Sequence, residues 1–122
     1  MARDFLLVFI GGGLGSAFRF LITKFLNSEN LPYGTFAVNV LGSVIMGFIL
    51  GNLLKENSWH HNLQLLLITG FCGGFTTFSA FAYENFIFLK NGNYNLFLFY
   101  SVGTLMLGIA AIFVGVWLSS KF

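Results

Sequence analysis

Apolar residues run along the chain in four long blocks: Phe5 to Phe25, Tyr33 to Leu54, Leu63 to Leu89 and Leu96 to Leu118. Each is as long as the ~20 mostly apolar residues that a helix needs to cross a bilayer. Short polar stretches separate them. Residues 26–32 hold Asn27, Ser28, Glu29, Asn30 and Pro32, residues 55–62 hold Lys55, Asn57, Ser58, His60 and His61, and residues 90–95 hold Asn91, Gly92 and Asn93. These residue types suit turns. The pattern predicts an all-α integral membrane protein, one domain of four transmembrane helices over 1–122, with nothing left for a soluble domain. Arg3 ahead of the first block has the look of a signal peptide, but the block is long and three more follow it.

Composition sharpens this picture. Hydrophobic residues make up 57% of the 122 and charged residues only 8%, where a soluble domain carries about a quarter charged. Fifteen Gly, one Pro and 17 Phe exclude a Pro-rich disordered chain. Cys72 is the single cysteine, so neither an internal disulfide nor a Cys-based metal cage can form. A net charge of +2 is too small for a nucleic-acid binder.

Lys and Arg in the loops set orientation. Arg3, Lys55 and Lys121 fall on one side, and Arg19, Lys24 and Lys90 on the other. The tie gives no positive-inside bias. Either a factor outside this count decides, or the chain inserts both ways up so that opposite copies pair. Gly11 and Gly15, Gly47 and Gly51, and Gly70 and Gly74 form Gly-xxx-Gly pairs, the spacing at which helix backbones pack closely in lipid. The glycine run 11–15 looks like a dinucleotide fingerprint but follows no predicted strand, and is read as a packing surface.

Polar groups inside the apolar blocks are costly, so their placement carries information. Thr35, Asn39 and Ser43 recur every fourth residue, on one helix face and rising about 6 Å per step. Tyr100 and Thr104 share that spacing. Such a row is either interhelical glue or the lining of a path, where uncharged donors hold an anion weakly enough to release it. In the third block, Gly70-Phe71-Cys72-Gly73-Gly74-Phe75-Thr76-Thr77-Phe78-Ser79-Ala80-Phe81 places three Gly in five positions ahead of two hydroxyl residues. Each Gly disfavours helix by about 1 kcal/mol against Ala, and Thr76 and Thr77 suit a new N-cap. This predicts a third helix broken at mid-membrane, with freed carbonyls near Gly73 facing a cation and the following half-helix N-terminus favouring an anion. The alternative is a plain Gly kink. Phe78 and Phe81 flank Ser79, and the positive edge of an aromatic ring can face a small anion. Arg19 can snorkel or attract an anion, Glu84 can be interfacial or paired, and His60 and His61 read as solvated. No nucleophile–base pair, metal-ligand cluster or phosphate loop is visible, so an enzyme is not expected.

These motifs together resemble the Fluc (CrcB) family of fluoride channels over essentially all four blocks: the 11–15 glycines with Arg19, Thr35-Phe36-Ala37-Val38-Asn39-Val40-Leu41-Gly42, and above all residues 70–81 with Glu84 downstream. The resemblance implies an antiparallel, dual-topology homodimer in the plasma (inner) membrane of a prokaryote. It implies two fluoride pores and a structural sodium ion on the two-fold axis, held by the backbone carbonyls of Gly73 and Thr76. Phe78 and Phe81 would be the ring pair of the path, Asn39 a donor beside them, and Ser79, Thr35, Tyr100 and Thr104 an extended polar track. Arg19 would sit at a vestibule and Glu84 near the track's far end. Gly108 stands where many relatives carry a second hydroxyl after Thr104.

Two rival readings belong to other classes. A dual-topology multidrug exporter needs a membrane-buried carboxylate, whereas Asp4 lies at the edge of its block and Glu84 well off centre. A structural subunit that transports nothing would use the polar rows only as glue.

Overall fold

The computed structural model describes residues 1–56 and 61–122, and every element among them is helical. Helix α1 is Ala2–Leu26, α2 Tyr33–Glu56, and α6 Tyr94–Ser119. The third block is composite: α3 His61–Gln64, a π-helical stretch Leu65–Cys72, α4 Gly73–Phe75 and α5 Phe78–Lys90. Four stretches are long and apolar enough to cross a membrane, the third being His61–Lys90. Half of the expected second connector, residues 57–60 with His60, lies outside the described residues. His61 is largely exposed, with Nε2 3.5 Å from Asp4.

The helices outrun the apolar blocks because flanking polar residues suit helix ends. Asp4 occupies the first turn of α1 and Lys24 its last, each complementing the helix dipole. The α1–α2 connection is a tight loop in which Ser28 and Leu31 bond reciprocally at 3.0 Å. After α5, Gly92 takes φ 76° while the N–H of Asn93 returns to the Phe88 carbonyl at 2.8 Å, a left-handed cap that glycine adopts without strain.

Packing follows the small residues. Helix α2 lies along α6, and α1 lies against the π-helical stretch and α4. A Cβ on Gly15 would meet the backbone of Phe71 and Phe75, one on Gly74 the backbone of Gly12, and one on Gly47 the Ile112 carbonyl. The Gly-xxx-Gly spacing therefore marks real contact seams. Large apolar residues such as Phe5, Phe9, Leu105 and Phe113 point outward, whereas the buried apolar set is small and includes Val38, Ile49, Cys72 and Phe75. Lipid is as apolar as leucine, so close backbone approach rather than a greasy core must hold such helices together. Helix α5 has the sparsest packing of the long helices, touching α2 and α6.

Candidate functional site

The interruption in the third block falls later than the glycines suggest. Gly73 is still helical (φ −62°, ψ −37°), and the chain turns extended at Thr76 (φ −86°, ψ 160°) and Thr77 (φ −149°, ψ 120°). Hydroxyls and an amide explain the shift. The Thr76 N–H and Oγ1 both donate to the Cys72 carbonyl, at 3.1 and 2.9 Å, closing the helix there. Asn39 on α2 then clamps the next residue: its Oδ1 accepts the Thr77 N–H at 2.7 Å and its Nδ2 donates to the Thr77 carbonyl at 3.1 Å. One side-chain amide thus satisfies both main-chain groups of an extended residue that has no strand beside it, as buried backbone requires. Thr77 Oγ1 accepts the Ala80 N–H at 3.2 Å, capping α5. Gly42 leaves room for this, since a Cβ on it would press on Thr76 Cγ2.

Counting carbonyls around the interruption is instructive. Cys72 is taken by Thr76, Gly74 by Arg19 Nε at 2.9 Å and Ser16 Oγ at 3.4 Å, and Thr77 by Asn39. Because the Thr77 N–H goes to Asn39, it does not close onto Gly73. Among the described residues, the carbonyls of Gly73, Phe75 and Thr76 receive no main-chain bond across the interruption. Gly73 itself is exposed on the surface of the chain. Arg19 therefore stands at the interruption and not at the Thr35–Glu84 end of the polar row.

A cavity of 470 Å³ opens beside the interruption, lined by Asn39, Ser43, Thr76, Thr77, Phe78, Phe81, Thr104 and Gly108 among others. The Phe78 and Phe81 ring centroids are 6.0 Å apart with planes at 49°, and Phe78 is 79% exposed. Ser43 Oγ donates back to the Asn39 carbonyl at 2.8 Å. Thr104 Oγ1 is buried and, among the described residues, has no hydrogen-bond partner. Ser79 is exposed, its hydroxyl 3.4 Å from that of Thr77.

Beyond Phe81 lies a second polar cluster. The Phe81 ring packs on Tyr100, centroids 5.1 Å apart. Tyr100 OH donates to Glu84 Oε1 at 2.8 Å, and Thr35 Oγ1 donates to Glu84 Oε2 at 2.6 Å. Glu84 also lines a 310 Å³ cavity with Asn27, Glu29, Tyr83 and Phe88. The residues singled out in the sequence thus fall into two groups, Asn39, Ser79, Thr104, Phe78 and Phe81 at the interruption and Thr35, Tyr100 and Glu84 beyond it.

Sequence reasoning passed over several participants. Asn27, hidden among turn residues, caps α2 by accepting the N–H groups of Gly34 and Thr35 at 2.7 and 3.1 Å. Asn85 is buried, accepting from Ser101 Oγ at 3.0 Å and donating to the Phe81 carbonyl at 3.1 Å. Adjacent pairs 84–100 and 85–101 thereby lock α5 to α6, a relation visible only once the helices are aligned. Ser16, whose Oγ donates to the Gly74 carbonyl at 3.4 Å, is another such participant.

Comparison with known proteins places this architecture. A family model described as CrcB-like protein, Camphor Resistance (CrcB), matches residues 6–116. A protein of Gloeothece citriformis named fluoride-specific ion channel FluC is 48% identical over 121 residues, covering 97% of this chain and 98% of that protein. Proteins of the same name from Phocaeicola vulgatus and Leptospira interrogans are 41% and 40% identical, each over at least 96% of both chains. With a family model spanning nearly all four helical blocks and relatives matched end to end, this chain belongs to the CrcB family.

Proposed function

We propose that this chain is a fluoride-selective channel, not an enzyme, that lets the anion leave the cell passively down its electrochemical gradient. The observation that carries the reading is the interruption itself: the helix gives way at Thr76–Thr77, near the middle of the His61–Lys90 stretch, beside a cavity lined by Phe78, Phe81 and Thr104, whose hydroxyl has no partner among the described residues. Irregular backbone at membrane depth is tolerated only where protein buries it or a cavity needs it. The names of the relatives supply the ion.

The energetics require many donors at once. Bringing a bare ion into low dielectric costs on the order of 20 kcal/mol by the Born estimate, whereas one hydrogen bond to a charge returns about 1.5–3 kcal/mol. In this reading the anion meets the second N–H of Asn39 and the hydroxyls of Ser79 and Thr104, slides past the edges of Phe78 and Phe81, and reaches Thr35 and Tyr100. The protons of those two hydroxyls are held by Glu84, so the anion takes them by displacing the carboxylate. Uncharged donors release a small anion where a buried lysine would trap it.

Antiparallel pairing of two copies, giving two paths, accords with the balanced Lys and Arg count and with closed two-fold symmetry, which presents the same patch twice. It would place the carbonyls of Gly73 and Thr76, which receive no main-chain bond across the interruption among the described residues, from both copies around one axis. Carbonyl oxygens suit a hard monovalent cation, and no His, Cys, Asp or Glu cluster competes for it among the described residues. A sodium ion held there would supply fixed positive charge near the anion path. The same reading puts the multi-pass dimer in the plasma (inner) membrane of a prokaryote.

Purified protein reconstituted in liposomes tests this: fluoride efflux is expected, with chloride passing far more slowly. Phe81→Ile or Phe78→Ile should cut fluoride efflux about hundredfold or more, ~2.7 kcal/mol in barrier, with the dimer intact on size exclusion. Equal passage of both ions by the unmodified protein refutes selectivity, and full flux in both variants refutes the ring-lining role.

A further inference from the structure

Asn27 lies outside every apolar block, yet it is tied to the polar row by all the hydrogen-bonding atoms of its side chain. Its Oδ1 accepts the N–H groups of both Gly34 and Thr35, at 2.7 and 3.1 Å. That fixes the orientation of the amide, because turning it over would face N–H against N–H. Nδ2 is therefore the atom that faces Thr35 Oγ1, at 3.4 Å. Thr35 is fully buried, and its single hydroxyl proton goes to Glu84 Oε2 at 2.6 Å. Asn27 thus holds Thr35 on main chain and side chain together, filling an acceptor site on the hydroxyl so that its proton points at the carboxylate.

The anchor of Asn27 is itself firm. Its own N–H closes α1 onto the Thr23 carbonyl at 3.0 Å, and its backbone is extended (φ −68°, ψ 130°). Gly34 has no side chain, and a Cβ there would stand 2.9 Å from Asn27 Oδ1. The close approach of the α1 end to the α2 start depends on that glycine. A relay therefore runs from the end of α1 through Asn27 and Thr35 to Glu84, which Tyr100 meets from α6 at 2.8 Å.

We infer that Asn27 is a positioning residue for conduction, acting on the anion path through Thr35, whose hydroxyl it holds against Glu84, without touching the ion. The inference rests on the reading of Thr35 and Glu84 as lining the path. It assigns a role in transport to a loop side chain that otherwise looks like an ordinary helix cap.

Fluoride efflux from liposomes, with the full chain and assembly checked by size exclusion, tests it in a cycle of variants. Asn27→Ala should lower efflux about tenfold, the scale of one misplaced hydrogen bond to a charged group. Asn27→Ser keeps a capping oxygen, since serine caps as well as asparagine, but lacks the Nδ2 donor to Thr35, so it should assemble like the parent and lose efflux about as far as Asn27→Ala. Should the alanine variant fail to assemble, the serine variant carries the test, and parent-level flux in an assembled serine channel overturns the inference. In a Thr35→Val background, Asn27→Ala should add less than about twofold, because its route to the anion is gone. Parent-level flux in Asn27→Ala, or a full tenfold further loss on top of Thr35→Val, overturns the role of Asn27. Parent-level flux in Thr35→Val instead removes Thr35 from the path, a separate failure that leaves the remaining donors standing.

Discussion

The α2–α6 pair and the third helical block use glycine to opposite ends. Along α2 and α6, Gly47 and Gly115 sit in unbroken helices, each facing the backbone of its partner. Polar side chains on that seam are few, and Ser43 bonds back to its own helix. In the third block, Gly70 and Gly74 seat α1 equally closely, but the same stretch loosens into π-helical turns and then gives way at Thr76. Close packing alone does not break a helix. The difference lies in what comes across from α2: Asn39 offers Thr77 both a donor and an acceptor, so Thr77 itself leaves the helix without losing a hydrogen bond. One pair stays regular helix against helix, and the other gives up regularity beside a cavity.

Asn39→Ala should break this contrast most severely. It leaves the Thr77 N–H and carbonyl unpaired, at about 1–3 kcal/mol each, so a loss of about 2–6 kcal/mol is expected. Thermal unfolding in detergent should show the drop, and fluoride efflux should fall with it. A channel that melts and conducts like the parent would mean that the interruption is held by something other than Asn39. Gly47→Ala tests the scaffold side. Its new methyl meets the Ile112 carbonyl, and overpacking of this kind costs about 1–3 kcal/mol. Melting temperature should fall while flux per assembled channel stays near the parent value. A large change in flux with unchanged melting would show that the α2–α6 seam is part of the path.

The asymmetry also explains what could be read from the sequence. Blocks of 20 or more apolar residues and Gly-xxx-Gly pairs are local signals, and the four spans and their contact seams follow from them. The interruption is harder. Glycine's weak helix preference points to Gly73 and Gly74, yet both stay helical, because preference is a small term beside the hydrogen bonds that Thr76 and Asn39 make. The signal that locates the interruption is an asparagine 38 residues away from Thr77, invisible until the two helices are side by side. Asn27 escaped for a related reason: asparagine in a connector is ordinary, and only its reach to Thr35 sets it apart. Thr35, Tyr100 and Glu84 were each visible as polar residues in apolar surroundings, but that two hydroxyls converge on one carboxylate depends on how α2, α5 and α6 align.

Thr104 gives the smallest and most discriminating test. Its buried hydroxyl has no partner among the described residues, although hydroxyls in helices commonly bond back to the preceding turn. An isosteric Thr104→Val change therefore removes a desolvation cost and breaks no bond. It should leave melting unchanged or raise it slightly, by at most about 1 kcal/mol. If the hydroxyl is kept for an anion passing Phe78 and Phe81, efflux should fall several-fold in the same variant, up to about tenfold for one lost hydrogen bond to a charge. Stability and flux moving in opposite directions would identify a group retained against the interest of the fold. Lower melting with unchanged flux would instead make Thr104 glue between helices, and would move the donor role onto Asn39 and Ser79 alone.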